Sequence, residues 1–241
     1  MMRTRTLHCA VFALACAVAA MPQLASAAAK TVKAAYNGFV NGMPMGTITE
    51  SFEADGSAYK IVSDTKPTGL AALVLRTPLR FTSTGRVGRE GLLPAQFDAR
   101  RSAAEAPQVS AEFDWKQKQL VLRDKDKTQT VALPPGTQDR LSVMYQFMFL
   151  PPERLRQLEF PMTNGRKLGR YRYRATEDVE IDTGIGRLKT LHLVKQRDEP
   201  GDTVTEVWLS PQHQYLPVKL LVVEKESMRI EQVIQSLEIR D

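Results

Sequence analysis

The chain has 241 residues, of which 43% are hydrophobic and 25% are charged, and its formal net charge is +6. This is the composition of an ordinary soluble globular protein, so disordered, collagen-like and coiled-coil classes are excluded. A chain of this length forms one large domain or two small ones, and an all-β fold of this size usually stays single. It can bury a sizeable core without disulfides or structural metals.

The N-terminal residues have the pattern of a signal peptide. Arg3 and Arg5 precede an apolar stretch, and Ala25-Ser26-Ala27 matches the small-x-small motif of a signal peptidase site. The apolar stretch is too short and too rich in alanine for a membrane span. We therefore expect a signal peptide over residues 1–27 and a single β-rich domain over residues 28–241, located in the periplasm.

Both cysteines of the chain, Cys9 and Cys16, lie inside this predicted signal peptide. The mature protein would contain none, which excludes a disulfide, a thiol nucleophile and a cysteine metal site. The alternative is a lipoprotein acylated at Cys16, because Ala13-Leu14-Ala15-Cys16 distantly resembles a lipobox. Since Ala13 stands where leucine is usual, the sequence favours a soluble product.

Most of the remaining chain alternates apolar and polar residues with a period of two, which predicts half-buried β-strands. In one clear example, Val109, Ala111, Phe113 and Trp115 share one face. The predicted strands begin near Lys33, Gly46, Ser57, Leu79, Pro94, Gln108, Gln119, Thr128, Gln157, Leu168, Val179, Arg187, Thr203, Tyr215 and Met228.

The turns between these segments predict antiparallel pairing. Asn41-Gly42, Asp55-Gly56, Asn164-Gly165 and Thr183-Gly184 have the residues that tight hairpins need. Strands do not alternate with long helices and no fixed-period repeat occurs, which argues against a Rossmann fold and a propeller. The predicted fold is mainly β: a single curved antiparallel sheet or incomplete β-barrel with one packed α-helix.

That helix is predicted at about 138–150, where Leu141, Met144, Tyr145 and Met148 follow helical spacing. Further apolar residues on its other sides indicate burial on more than one side. Thr137 is the predicted N-cap, and Pro151 ends the helix. Helix capping would explain Asp139 fully, although Asp139 with Gln138 could instead orient a ligand at the rim of a cavity.

Between Pro67 and Pro78 lies an apolar run that contains Leu70, Leu73 and Leu75. It is either a connection packed on the core or a flap over an apolar cavity. The sequence does not separate these two interpretations.

Several segments together resemble one bacterial exported family. They are Gly69-Leu70 with the apolar run that follows, Ser83-x-Gly85-x-Val87, Gly91-Leu92-Leu93-Pro94, residues 138–146, Glu206-Val207-Trp208-Leu209 and Tyr215-Leu216-Pro217-Val218. The chain is similar, over nearly its whole predicted mature length, to the family catalogued as domain of unknown function 3108. The resemblance implies a secreted, mostly β protein of Gram-negative envelopes and brings no established active site. By analogy of fold alone, its half-open shape looks like that of periplasmic lipoprotein carriers.

Catalytic and cofactor motifs are missing: the sequence has no G-x-S-x-G elbow, P-loop, H-E-x-x-H or EF-hand loop. His192 lies between leucines in a predicted strand, which favours a packed structural role. His213 follows Ser210 in a predicted loop, the minimum for nucleophilic catalysis, but a surface turn is the simpler interpretation. We therefore expect no enzyme activity, no cofactor and no metal site.

A short arginine-rich strand places Arg170, Arg172 and Arg174 on one face and Tyr171 and Tyr173 on the other. A solvated strand face is the simpler interpretation. Nucleic acid is disfavoured for an exported protein of modest positive charge. Anionic lipid head groups or acidic glycans are the better alternative, because guanidinium groups bind phosphate and carboxylate through two hydrogen bonds.

Together these patterns predict a non-catalytic envelope protein that binds or carries an amphipathic, lipid-like component. The predicted ligand-binding residues are Leu70, Leu73, Leu75, Gln138, Asp139, Arg170, Arg172 and Arg174. The alternatives are an assembly or scaffolding partner of outer-membrane machinery and, third, an envelope hydrolase. The expected partner is a lipid or other amphiphile, or an outer-membrane protein, and not a nucleic acid.

Overall fold

The structure is a computed structural model that describes residues 30–69, 72, 78–101, 108–197, 199, 202–224 and 228–240. The predicted signal peptide lies outside the described residues, as do Leu70, Leu73 and Leu75 of the apolar run. No helix in the described part of the chain is long and apolar enough to span a membrane.

Fifteen β-strands in the described residues form one sheet that is curved and does not close. They are β1 (Thr31–Val40), β2 (Met43–Asp55), β3 (Ala58–Pro67), β4 (Leu79–Gly88), β5 (Gly91–Arg100), β6 (Val109–Asp114), β7 (Gln119–Asp124), β8 (Lys127–Ala132), β9 (Gln138–Asp139), β10 (Gln157–Thr163), β11 (Leu168–Thr183), β12 (Gly186–Lys195), β13 (Val204–Ser210), β14 (Leu216–Val223) and β15 (Arg229–Arg240). Their spatial order is β8-β7-β6-β5-β4-β3-β2-β1-β15-β14-β13-β12-β11-β10-β9. The predicted fold class, a mainly β protein with a single curved open sheet, is confirmed.

Neighbouring strands are mostly consecutive in sequence, so short hairpins build both halves of the sheet. The exception is the centre, where β1 pairs with β15. All described strand pairs are antiparallel apart from the short parallel pair of β9 and β10. At the β1–β2 turn, Asn41 and Gly42 adopt positive φ angles of 50° and 79°, as the hairpin prediction requires.

The tip of the β10–β11 hairpin reaches across to the other half of the sheet. Arg166 Nε lies 3.1 Å from Asp124 Oδ2 at the end of β7. Gly165 has a φ of +87°, and a Cβ there would lie 2.4 Å from Val109 Cγ1 and 3.2 Å from the Phe97 ring. Only glycine permits this approach, so the Asn-Gly pair of the sequence serves the contact between the two halves as well as the turn.

Residues 133–156, which connect β8 to β10, enter the concave side of the sheet, and we call them the plug. The plug contains β9, helix α1 (Ser142–Gln146), a 3₁₀ turn (Phe147–Phe149) and helix α2 (Pro152–Arg156). The prediction of one helix over 138–150 is therefore wrong in its bounds. The backbone of Gln138 and Asp139 pairs with β10 instead of entering the helix.

The start of α1 is fixed by Asp139, which is fully buried. Its Oδ1 accepts hydrogen bonds from the backbone N–H groups of Leu141 and Ser142, each at 2.8 Å, and its Oδ2 accepts one from Ser83 Oγ of β4 at 2.6 Å. The predicted N-cap at Thr137 is wrong, because the Thr137 hydroxyl donates to the carbonyl of Pro134 at 2.7 Å. Asp139 thus satisfies the free N–H groups at the helix start and ties the plug to the sheet.

Two glutamines add a second attachment. Gln138 Nε2 donates to the Leu92 carbonyl of β5 at 2.9 Å, and the Leu92 N–H donates to Gln146 Oε1 at 2.6 Å. Both backbone polar groups of Leu92 are therefore hydrogen-bonded by side chains of the plug.

The two main apolar clusters of the core meet at the plug. Leu141 and Tyr145 belong to the cluster that includes residues of β1 to β7. The Tyr145 ring stacks on Phe52 with centroids 5.2 Å apart. Val143 and Phe147 belong to the cluster formed with β10 through β13. The prediction that this segment is buried on more than one side is confirmed.

Strand β11 is continuous, so the prediction of separate strands starting near Leu168 and Val179 is wrong. A bulge interrupts its pairing with β12 between Thr176 and Val179, where Asp178 has a φ of 56°. Asp178 can occupy this position because aspartate tolerates the left-handed conformation at little cost. The strand therefore continues, and pairing with β12 resumes after the bulge.

Asp139→Ala removes the acceptor of three buried hydrogen bonds. We expect it to lower the free energy of unfolding by about 3 kcal/mol, because each buried donor left without an acceptor costs ~1–3 kcal/mol. Asp114→Ala is the matched control, since half-buried Asp114 accepts one solvent-exposed turn hydrogen bond, from Gln117 N at 2.8 Å. It should cost about 1 kcal/mol or less. Urea denaturation measures both, and equal losses would contradict the role of Asp139.

Candidate functional site

A cavity of about 400 Å³ lies between the plug and the inner face of the sheet, and we call it the central cavity. Strands β1 to β4 contribute one side and β10 to β15 the other. Its apolar and aromatic lining includes Phe81, Leu141, Met144, Tyr145, Tyr171, Tyr173 and Leu220. Its volume falls in the range of roughly 300–1,000 Å³ that is usual for small-molecule sites.

Glu50 of β2 supplies a carboxyl group to the central cavity. Its side chain lies in the inward register of an alternating strand, between two buried apolar residues. Ser63 Oγ donates to its Oε1 at 3.0 Å, and the Tyr145 hydroxyl donates to its Oε2 at 3.1 Å. Burial raises the pKa of Glu50, and these hydrogen bonds and the charge of Arg140 offset part of that increase. Glu50 therefore binds a proton more readily than a surface glutamate does.

Arg140 extends from the plug into the same cavity. Its backbone N–H donates to the Thr163 carbonyl at 3.0 Å, and its guanidinium carbon lies 4.6 Å from the centre of the Phe81 ring. The latter is a cation–π distance. The guanidinium forms no hydrogen bond or ion pair with any residue that the structure describes. The Arg140 side chain is exposed to solvent at the cavity, although desolvation by the nearby protein lowers the pKa of Arg140.

Charged residues of both signs border the central cavity. Lys167 and Lys195 are basic, and Lys195 Nζ lies 5.0 Å from the centre of the Tyr171 ring. Asp202 and Glu224 are acidic. The border therefore carries charges of both signs. Arg140, by contrast, is a cation of the plug itself.

A second cavity, of about 470 Å³, lies on the other side of α1, and we call it the side cavity. Its lining includes Gln138, Leu93, Val143, Phe147, Leu150 and Phe160. Gln138 Oε1 is buried without a hydrogen-bond partner among the described residues. Arg89 and Arg154 also line the side cavity. We take the central cavity as the candidate site, because there the guanidinium of Arg140 lies over the Phe81 ring and a hydrogen-bonded glutamate, Glu50, lines the same space.

The predicted site residues that the structure describes, which are Gln138, Asp139, Arg170, Arg172 and Arg174, do not share one cavity. Gln138 lines the side cavity, and Asp139 is enclosed in the hydrogen-bond network at the start of α1. Arg170, Arg172 and Arg174 are exposed on the face of β11 opposite Tyr171 and Tyr173. Arg170 forms an ion pair with Glu159 of β10. The tyrosine face of this strand, and not its arginine face, lines the central cavity.

The histidines have structural surroundings. His213 Nδ1 and Ser210 Oγ are hydrogen-bonded at 2.8 Å, but Ser210 is fully buried and cannot reach a substrate. Desolvation lowers the pKa of His213. His192 Nε2 lies 2.8 Å from Glu206 Oε2, and its ring stacks on Trp208. Within the described part of the chain, no group of three or more His, Cys, Asp or Glu side chains could hold a metal ion.

Sequence reasoning missed Glu50 and Arg140. A signal for Glu50 was present, since it occupies a core-facing position of an alternating strand, where a charged residue is uncommon. Arg140 carries no such signal, because a charged residue is ordinary in the segment that was predicted as a helix. Only the position of the plug shows that it meets Phe81.

Glu50→Gln should make the stability less dependent on pH. Because the folded-state pKa of Glu50 is raised, its contribution to stability is fully present below the unfolded pKa and is lost as pH rises through the folded pKa. Glutamine does not titrate and keeps a similar shape. We therefore expect the variant to have the higher free energy of unfolding in urea denaturation at about pH 8, with a smaller difference at about pH 5.

Glu53→Gln on the exposed face of the same strand is the control and should follow the pH dependence of the wild type. If Glu50→Gln lowers stability equally at both pH values, the raised pKa of Glu50 is contradicted.

Comparisons with known proteins place this geometry in a family. No curated protein matches the sequence. A crystal structure described as a beta-barrel-like protein of the domain of unknown function DUF1849, from Brucella abortus, is similar with a TM-score of 0.55 and 10% identity, covering 89% of this chain and 99% of that chain. At this identity the similarity shows a shared fold and nothing about activity.

Two further structures are more distant, and we draw nothing from them. One is a candidate lipoprotein from Parabacteroides distasonis, with a TM-score of 0.38, 10% identity and coverage of 87% of this chain and 95% of that chain. The other is a candidate outer membrane lipoprotein-sorting protein domain from Vibrio parahaemolyticus, with a TM-score of 0.26, 10% identity and coverage of 87% and 85%.

The family comparison covers most of the described sheet. The family model described as protein of unknown function DUF3108 matches residues 31–226, which include β1 to β14 and the whole plug. The resemblance seen in the sequence is confirmed, and the chain belongs to the DUF3108 family.

Proposed function

We propose that the protein binds an amphipathic, lipid-like molecule in the central cavity and acts as a non-catalytic binding or carrier protein of the cell envelope. The observation that supports this is a cavity of about 400 Å³ whose walls combine aromatic and aliphatic side chains with charged groups. The signal-peptide pattern of residues 1–27 supports an envelope location.

Part of the wall is apolar and suits an apolar chain, and the rest is polar. Met144, Tyr171 and Leu220 come from the plug and from two strands, so a chain between them would contact apolar groups on several sides. A folded protein gains stability by covering such surface, and apolar walls left open inside a fold are typical of ligand sites. The cavity is partly open to solvent, so a ligand can enter it without unfolding of the protein.

The expected affinity follows from the area that a chain would bury. Each buried methylene contributes about 0.8 kcal/mol before losses. Six to eight methylenes, about 5–6 kcal/mol, together with polar contacts could give roughly micromolar binding after the costs of association and ordering.

Thr205→Trp tests the location of binding, because half-buried Thr205 of β13 lines the central cavity and an indole there would occupy its volume. The uncharged fluorophore N-phenyl-1-naphthylamine reports cavity occupancy, and dodecanol displaces it. We expect wild type to bind dodecanol with a roughly micromolar Kd and Thr205→Trp to bind it at least ~10-fold more weakly.

Thr130→Trp is the matched control, since Thr130 is exposed on β8 and lies outside the cavity. It should bind as wild type does. Absence of saturable binding to wild type, or equal weakening by the two tryptophan variants, would overturn the proposal.

A further inference from the structure

Building on the proposed function, we propose that the ligand is an acid whose oxyanion, a phosphate or a carboxylate, binds the Arg140 guanidinium inside the central cavity. The inference deepens the proposed site by naming the polar group that it recognises. It rests on the position of Arg140, on its lack of a partner in the described chain, and on the way the neighbouring carboxyl groups are occupied.

Arg140 has no carboxylate partner among the described residues, unlike several other exposed arginines. Arg80 pairs with Asp64 at 2.6 Å, Arg123 with Glu112 at 2.5 Å, and Arg156 with Glu177 at 2.7 Å. These exposed pairs contribute little, because water solvates both partners. Arg140 is exposed as well, but its guanidinium lines the central cavity and lies over the Phe81 ring, and no described carboxylate forms an ion pair with it. An anion that enters the cavity can therefore form charge-assisted hydrogen bonds with this group, which are stronger than those between neutral groups.

The two nearby buried carboxyl groups are already occupied. Glu50 accepts hydrogen bonds from a serine and a tyrosine hydroxyl, one on each of its oxygens. Asp139 accepts hydrogen bonds from Ser83 Oγ and from two backbone N–H groups of the plug. Neither forms an ion pair with Arg140, so neither competes strongly with an incoming anion.

The contact with Phe81 prepares the guanidinium for such a ligand. With its carbon 4.6 Å from the ring centre, the group is held by a cation–π interaction that consumes none of its N–H donors. Arginine carries five N–H donors in a planar arrangement that matches phosphate and carboxylate oxygens. The structure therefore offers a positioned donor set beside apolar walls, which is the arrangement that an acidic amphiphile needs.

Charged residues at the border of the cavity also affect which head group binds. Lys167 and Lys195 add positive potential near the site, whereas Asp202 and Glu224 offset part of it. Long-range attraction alone would therefore give little preference for an anion. Selectivity should depend on the direct contact with Arg140.

The experiment compares four dodecyl probes that displace N-phenyl-1-naphthylamine below their micelle concentrations: dodecyl phosphate, dodecanoate, dodecanol and dodecyltrimethylammonium. Wild type should bind at least one of the two anions at least ~10-fold more tightly than dodecanol, and should bind the cation most weakly. Arg140→Gln should abolish the preference for the anions, because it should weaken anion binding at least ~10-fold more than dodecanol binding. Arg140→Lys, which keeps the charge without the planar donors, should fall between the two.

Arg172→Gln is the matched control, because it removes the same charge from the outer face of β11. It should keep the anion preference of the wild type. Loss of the preference in Arg172→Gln but not in Arg140→Gln would overturn the inference and favour the exposed arginine face.

The remaining outcomes separate the two proposals. Wild type that binds dodecanol without preferring either anion would contradict the acidic ligand and leave the proposed function standing. Wild type that binds no probe would contradict both. A preference for dodecyl phosphate over dodecanoate would assign the oxyanion to a phosphate head group, and the reverse preference to a fatty acid.

Discussion

The attachment of the plug by Asp139 is the interaction on which the interior of this protein depends. An open sheet exposes its inner apolar face unless another element covers it, and the plug covers it here. The first helix of the plug has five residues, which is too short to be stable alone. Asp139 fixes it in place by accepting buried hydrogen bonds from N–H groups at the helix start and from Ser83 Oγ of β4.

The position of the plug also determines the interior space. Val143 and Phe147 face the side cavity and one apolar cluster, whereas Leu141 and Tyr145 face the central cavity and the other cluster. The same segment carries Arg140 directly after Asp139, so the residue that anchors the plug also places a cation beside Phe81. Stability and the proposed recognition of a ligand are therefore coupled through one short stretch of chain.

The sequence predicted the strands well because each has one buried and one exposed face, as at Val109, Ala111 and Phe113. The sequence pattern predicted a helix that is too long, because apolar residues keep helical spacing through the plug. Local pattern does not reveal that Gln138 and Asp139 pair with Met162 and Thr163, which come much later in the chain. Such non-local pairing outweighs local helix preference.

The candidate site was harder to predict, for a related reason. The arginines of β11 form an obvious pattern, yet their alternation with Tyr171 and Tyr173 already implies that only one of the two sets can face the interior. The sequence does not say which set does so. The single arginine of the plug has no pattern around it, and its importance follows from tertiary packing alone.

Native mass spectrometry of the protein purified without detergent tests the central claim most directly. We predict that wild type carries a bound amphiphile, that the released molecule is an acid, and that Arg140→Gln carries much less of it. Wild type found only at the mass of the bare polypeptide, or a neutral ligand retained equally by both proteins, would contradict the claim that the central cavity binds an acidic amphiphile through Arg140.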